Sequence, residues 1–350
     1  MLLRNILNKG SNNLDLIRIF AACMVIYGHS FAISPEPGRA DVVQQMLGFD
    51  YSGSIAVKIF FFISGLVVAN SFMLKQNISE FILSRFFRIY PALIVVCILG
   101  YVYALTFTTS TQDEFAAGAP LAKYIYGIVT LEFWWKFPGI FDKNNIPAFN
   151  GSLWSIYYEV GCYITMLSIF TLSRFNKKLL SAICFLIIFD AVYLKLMIFH
   201  DINGHEEMRF LPACFSLGVI FSINKDKITI NQTTFLSMVL LSCVLCSLNS
   251  EIAQIAVYTT IMYGVLYISS TSLLLKAKPP FDISYGIYLY GFPIQQIIAQ
   301  HFSDYGLLFN QLTSLLIAIA AGTISWFVIE KRFINIGRNI LNRNQAMSIA

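Results

Sequence analysis

The chain has 350 residues, of which 57% are hydrophobic and only 12% charged, with a formal net charge of +5. A soluble domain carries about 25% charged residues, so this composition excludes an ordinary soluble enzyme and points to a polytopic membrane protein. The small positive charge implies no nucleic-acid partner, because the basic residues sort by loop.

A membrane-crossing helix needs about 20 mostly apolar residues. Ten stretches are candidates: 14–33, 54–74, 89–109, 152–172, 179–199, 209–223, 233–249, 252–274, 282–302 and 307–329. An even number places both termini on one side. Sixteen Lys and Arg residues then fall on the side of the termini, and five on the other: Arg39, Lys123, Lys136, Lys143 and Arg209. Cytoplasmic loops are enriched in Lys and Arg, so both termini are expected in the cytoplasm. The predicted fold is all-α, a single transmembrane domain over 1–350 with no appended soluble domain. No cleavable signal peptide is read at the start, since the first apolar run is too long and carries Arg18.

That first run, LDLIRIFAACMVIYGHSF over 14–31, holds Asp15, Arg18 and His29. Ionisable groups inside a span are costly to desolvate and mark functional sites by default. Eleven steps separate Arg18 from His29, which puts them within roughly 20° of each other around a helix and about 16 Å apart along it. An imidazole can take a hydroxyl proton near neutral pH. In the second span Lys58 precedes FFFISG at 60–65; Lys58 is read as snorkelling to the interface, and Ser64-Gly65 by itself as a helix-packing pair. Arg85 and Arg88, three residues apart on one helix face before the third span, suit a phosphate-bearing donor, guanidinium being a bidentate phosphate ligand. The outer connection 110–151 contains Phe133-Trp134-Trp135, read chiefly as an interfacial anchor.

Glu159 lies inside the fourth span, and a buried carboxylate needs a partner; Arg18, Lys58 and His29 are the ones the sequence offers. Ser155 sits one turn before it. Asp190 and Lys195 in the fifth span read as structural. Pro293 in the ninth span implies a kink beside a cavity, which Gln295 and Gln296 are placed to line. The seven cysteines all lie in apolar stretches and read as small buried hydrophobes. Cys243-x-x-Cys246 has no further His or Cys ligands nearby, so no metal is expected, and no P-loop or dinucleotide fingerprint occurs.

Taken in order, the LDxIR…H context with its Arg-x10-His spacing (Arg18 to His29), FFFISG at 60–65, RFFRIYP at 85–91, SLWSIYYE at 152–159, SYGIYLY at 284–290 and SWFVIEKRF at 325–333 resemble the acyltransferase 3 family of bacterial membrane proteins. The resemblance implies a ten-helix core in the inner membrane that takes an acyl group, usually acetyl, from cytosolic acetyl-CoA. It implies delivery to a hydroxyl of an extracytoplasmic sugar such as lipopolysaccharide or exopolysaccharide, free or lipid-linked. On the same footing His29, Arg18 and Glu159 are the implied catalytic residues, and Arg85, Arg88 and Ser64 the implied donor-binding ones. Many members have a His after the YLY-like stretch, where this chain has Gly291. The alternative reading, on physics alone, is a transporter or flippase for a glycan intermediate.

Overall fold

The computed structural model describes residues 1–8, 10–133, 136–195, 206–246 and 250–349. Among them every regular element is helical; the one extended contact is an isolated bridge between Leu2 and Thr229. In chain order the α-helices are α1 (Leu3–Ile6), α2 (Leu14–Ile33), α3 (Val42–Leu47), α4 (Ser52–Lys75), α5 (Ile78–Phe107), α6 (Gln112–Gly118), α7 (Leu121–Thr130) and α8 (Trp154–Leu172). They continue as α9 (Lys177–Phe189), α10 (Phe210–Ile223), α11 (Gln232–Cys246), α12 (Ser250–Ser269), α13 (Ser272–Lys276), α14 (Ser284–His301), α15 (Gly306–Ser325) and α16 (Lys331–Ile349). A π-helical turn, Asp190–Leu194, extends α9, and another, Trp326–Glu330, joins α15 to α16.

Each of the ten predicted stretches falls at least in part on a helix. Residues 196–199 of the fifth and 247–249 of the seventh lie outside the described residues, as do Trp134 and Trp135. Among the described residues six helices are long and apolar enough to cross a membrane: Leu14–Ile33, Ser52–Lys75, Ile78–Phe107, Trp154–Leu172, Ile252–Ser269 and Ser303–Arg343, the last running from the end of one connection through α15 into α16. Helices α10 and α11 are apolar but shorter. The expected 110–151 connection contains α6, opened by a reciprocal Thr111/Glu114 cap, and α7. Phe133 is buried, which removes it from the interfacial patch expected of it.

The chain forms two compact units. The first comprises Met1–Ala21, Val42–Gln76 and Tyr158–Asp282; the second comprises Ala22–Asp41, Asn77–Tyr157 and Ile283–Ala350. In the first unit, α4 and α10 meet so closely that a Cβ added to Gly65 would collide with the Phe215 carbonyl, and one added to Gly218 with the Phe62 carbonyl. Small residues permit this approach, so Gly65 in FFFISG has the packing role that the sequence suggests. Lys58, one of the largest fully buried side chains, does not snorkel. Its Nζ lies 2.7 Å from Asp50 Oδ2 and 2.6 Å from Ser54 Oγ, and 4.9 Å from the centre of the Tyr258 ring. The Tyr258 hydroxyl donates to the same Asp50 oxygen at 2.7 Å. Burial of the ammonium at the foot of α4 is offset by this network.

Cysteines 97, 162, 184 and 214 are buried as expected, whereas Cys243 and Cys246 are exposed on α11. The correction follows from position: α11 has almost no buried residue, so even an apolar small side chain there lies on an outer face.

In the second unit, α15 runs antiparallel to the C-terminal half of α2, with Leu307 N–H reaching Glu36 and Gln311 bonding Ser30. It also runs antiparallel to α14, with Asn310 bonding the Gln295 carbonyl and Gly322 packed on Gly286. Helices α2 and α14 therefore run in the same direction. The segment before α8 returns along α14: Gln296 Nε2 donates to the carbonyls of Ile146 and Ala148, and Asn150 Nδ2 donates to the Leu289 carbonyl. Above it Tyr101, Tyr124, Phe137, Phe141 and Phe149 form a continuous set of ring contacts.

Two stability tests follow from the first unit. Gly65→Val, forced against backbone, is expected to cost at least about 1–3 kcal/mol and to lower the yield of monodisperse protein in detergent. Gly161→Ala on α8, with no atom within 4 Å of the new methyl, is the neutral control. Lys58→Met strands Asp50 and is expected to cost about 3–5 kcal/mol, read as a fall in the denaturation midpoint in micelles. Pairing it with Asp50→Leu should recover much of that loss; an unimproved double variant contradicts the network.

Candidate functional site

Helix α2 is unbroken from Leu14 to Ile33, so Arg18 and His29 sit on one helix, three turns apart. Its N-terminal part, with Arg18, belongs to the first unit, and its C-terminal part, with His29, to the second.

Within the first unit the expected charge partners of Glu159 have other partners. Arg18 faces Asp15 at 3.6 Å and Asp282 at 3.7 Å, and Lys58 is taken by Asp50. Glu159 is held instead by two hydroxyls: Ser64 Oγ donates to its Oε1 at 3.2 Å, and Tyr163 donates to the same oxygen. Ser64 and Tyr163 also share a hydrogen bond with each other. The sequence pairs a carboxylate with a cation, whereas two neutral donors suffice for a group that keeps part of its surface exposed. Tyr163 was legible as the residue one turn after Glu159 on the same helix face, yet it carries no charge to draw attention. Ser64 and Glu159 are thus brought together in one polar triangle.

Within the second unit, the His29 ring stands edge-on against Phe292, with centroids 5.2 Å apart. Its Nδ1 is buried and has no hydrogen-bond partner among the described residues. Around it α2, α14 and α15 share a polar seam: Gln295 Nε2 donates to the Ile26 carbonyl at 2.8 Å, and Gln311 Nε2 donates to Ser30 Oγ at 2.8 Å. Gly291 faces Ile26, where an added Cβ would lie 2.7 Å from Ile26 Cγ1. The side chain of Ile26 fills the space that a residue larger than glycine needs, so a histidine at 291 requires a smaller partner at 26. Pro293 lies inside α14, among buried residues. Of the two glutamines expected to line a cavity there, Gln296 is fully buried with its amide spent on loop carbonyls. Ser155 bonds the Tyr288 hydroxyl at 2.6 Å, which assigns it to the brace between α8 and α14.

The two arginines of RFFRIYP differ. Arg88 Nη1 lies 2.9 Å from Glu330 Oε2, and its guanidinium stands over Tyr285 at 5.7 Å and Trp326 at 6.0 Å. Glu330 is 1% exposed and also accepts from Ser325 Oγ at 3.1 Å. Arg85 is partly exposed, and its interactions include a 3.5 Å contact from Nε to Ser84 Oγ. Much of the Arg88 charge is therefore offset internally by Glu330. Glu330 closes the π-helical turn Trp326–Glu330, a distortion that recurs at functional sites. The sequence signal for it was its place in SWFVIEKRF, and Asp282 was signalled by its place just before SYGIYLY.

Comparison with known proteins places the chain in a family. A family model described as "Acyltransferase domain", that of the acyltransferase 3 family, matches residues 11–331. The chain is similar to an O-acetyl transferase of Shigella phage Sf6, 26% identical over 93% of this chain and 96% of that protein. It is similar to nodulation protein 10 of Rhizobium leguminosarum bv. viciae, 23% identical over 96% and 97% of the two chains. Similarity to the acyltransferase MdmB of Streptomyces mycarofaciens is 30% identity over 43% of this chain and 36% of that one. No solved structure matches the chain. The match spans nearly every motif described above, and the long apolar helices fit it: the chain belongs to the acyltransferase 3 family and is a multi-pass membrane O-acyltransferase.

Proposed function

We propose that the protein transfers an acetyl, or another short acyl, group from cytosolic acyl-CoA to a hydroxyl of an extracytoplasmic sugar, in the inner membrane of a bacterium. The observation that carries the reading is His29, an imidazole on an apolar helix with Nδ1 buried and unbonded, on the same helix as Arg18. The full-length similarity to an O-acetyl transferase supports acetyl as the group moved, and membership of an acyltransferase family favours group transfer over glycan transport.

Ten spans with both termini cytoplasmic remain the topology we propose. The helix directions of the second unit support it: α2, α14 and α15 as the first, ninth and tenth spans require α2 and α14 parallel and α15 opposed to both. The acceptor is proposed as a sugar of lipopolysaccharide or exopolysaccharide, free or lipid-linked.

In the reaction, the imidazole takes the acceptor hydroxyl's proton as the oxygen attacks the thioester carbonyl. The tetrahedral adduct collapses with departure of the coenzyme thiolate, which takes up a proton. Alternatively the imidazole accepts the acyl group first and passes it to the hydroxyl, which splits the transfer between two faces of the membrane. Arg18 is proposed to stabilise charge at the thioester. Arg85, Arg88 and Ser64 are proposed on the donor side, and Glu159 to support the site through the Ser64–Tyr163 triangle.

The test uses purified protein in nanodiscs with radiolabelled acetyl-CoA. Wild type should bind it and release CoA, while His29→Ala should bind it with turnover lowered by at least about 10²-fold. Label retained on wild type but not on the variant identifies the acyl-imidazole route. Full turnover by His29→Ala removes His29 from the chemistry, and absence of turnover with every acyl-CoA tried overturns the reading.

A further inference from the structure

Gln295 on α14 is fully buried, and only half of its carboxamide is used. The amide nitrogen donates to the Ile26 carbonyl at 2.8 Å, with a longer contact to Asn310 Oδ1 at 3.5 Å. A carbonyl can only accept, so this bond fixes the orientation of the amide, nitrogen toward Ile26 and Oε1 away from it. Oε1 is buried and has no hydrogen-bond partner. Such atoms are rare in folded proteins, and here two occur on facing turns, the other being His29 Nδ1.

Helix register brings the two side chains to the same stretch of the α2–α14 contact. Ile26 and His29 are one turn apart on the same face of α2, as Phe292 and Gln295 are on α14. Gln295 reaches Ile26, and the His29 ring lies against Phe292. Helical side chains lean toward the helix N-terminus, which brings the His29 ring down over the turn that holds Ile26. One of the orphaned atoms can only accept, and the other can donate. The two are not bonded to each other in the structure; one bridging water, or a turn of the ring that brings Nδ1 to Oε1, satisfies both.

We propose that Gln295 is a positioning residue for His29, its Oε1 accepting the Nδ1 hydrogen so that Nε2 is left as the free base. This rests on the role given to His29 in the proposed function. It gives a neutral carboxamide the task that a carboxylate performs beside other catalytic imidazoles, which is to hold the ring in one tautomer. A carboxamide does so without adding a charge to an apolar helix pair.

The experiment reads the tautomer directly. Protein labelled with 15N-histidine, which has four histidines, is reconstituted whole, and the His29 ring signals are assigned by their loss in His29→Ala. Wild type is expected to show the Nδ1–H tautomer, and Gln295→Met a shift to Nε2–H or a mixture. Gln295→Met should also lower kcat by ~10-fold or more with KM for acetyl-CoA unchanged. Gln295→Glu keeps an acceptor and gives up the amide that braces Ile26, and should retain most of the activity. A mere brace predicts the opposite: Glu as damaging as Met, KM and folded yield falling together, and the tautomer unmoved. Should Gln295→Met fail to fold, Gln295→Asn withdraws the acceptor by one methylene and carries the same expectations. A wild-type ring in the Nε2–H form, or one unchanged by either substitution, overturns the inference. The outcomes separate from those of the proposed function, because full turnover by His29→Ala defeats the latter whatever the tautomer.

Discussion

Desolvation of charge governs how this chain is put together. A cation or acid carried into an apolar helix has no water to answer it, and each must find a partner within the protein. Three such pairings recur. Lys58 is answered by Asp50 and Tyr258, Arg88 by Glu330 between aromatic faces, and Arg18 by Asp15 and Asp282. The cations stand within helices, and two of their acids come from far along the chain, Asp282 for Arg18 and Glu330 for Arg88, so these pairings tie separate segments together.

The helices themselves were legible because apolar length and the sorting of Lys and Arg are properties of single stretches. Pairings are not. Asp50, Asp282 and Glu330 each read as ordinary residues at the border of a span, and nothing local distinguishes a border acid that is 1% exposed from one in solvent. Glu159 illustrates the complementary error. A lone carboxylate in a span suggests a cation, whereas the protein answers it with Ser64 and Tyr163, residues whose hydroxyls carry no charge to count. The exposed Cys243 and Cys246 show the same limit from another side, since hydrophobicity does not say which face of an apolar helix looks outward.

The seam of α2, α14 and α15 leaves no room for a larger residue at Gly291. With Ile26 against that position, the space is already filled, and the polar functions of the seam fall to His29, Gln295, Gln311 and Ser30. Only His29 among these is ionisable. The other members are amides and a hydroxyl, groups that can orient an imidazole without competing for its proton.

That seam also has a consequence for how the protein is made. The bonds from Gln295 to Ile26 and from Gln311 to Ser30 join residues 269 and 281 positions apart. Translation at about 5–20 residues per second therefore separates the emergence of the first helix from that of its partners by roughly 15–55 s. During this interval the newly inserted α2 carries a basic side chain and an imidazole toward neighbours that do not yet exist. The nascent chain depends on the insertion machinery, or on bilayer water drawn to the interface, to shelter that face until the last two helices arrive. Assembly of this region is therefore post-translational in practice, and chains cut short before α14 leave the ribosome with their most polar surface still unmatched.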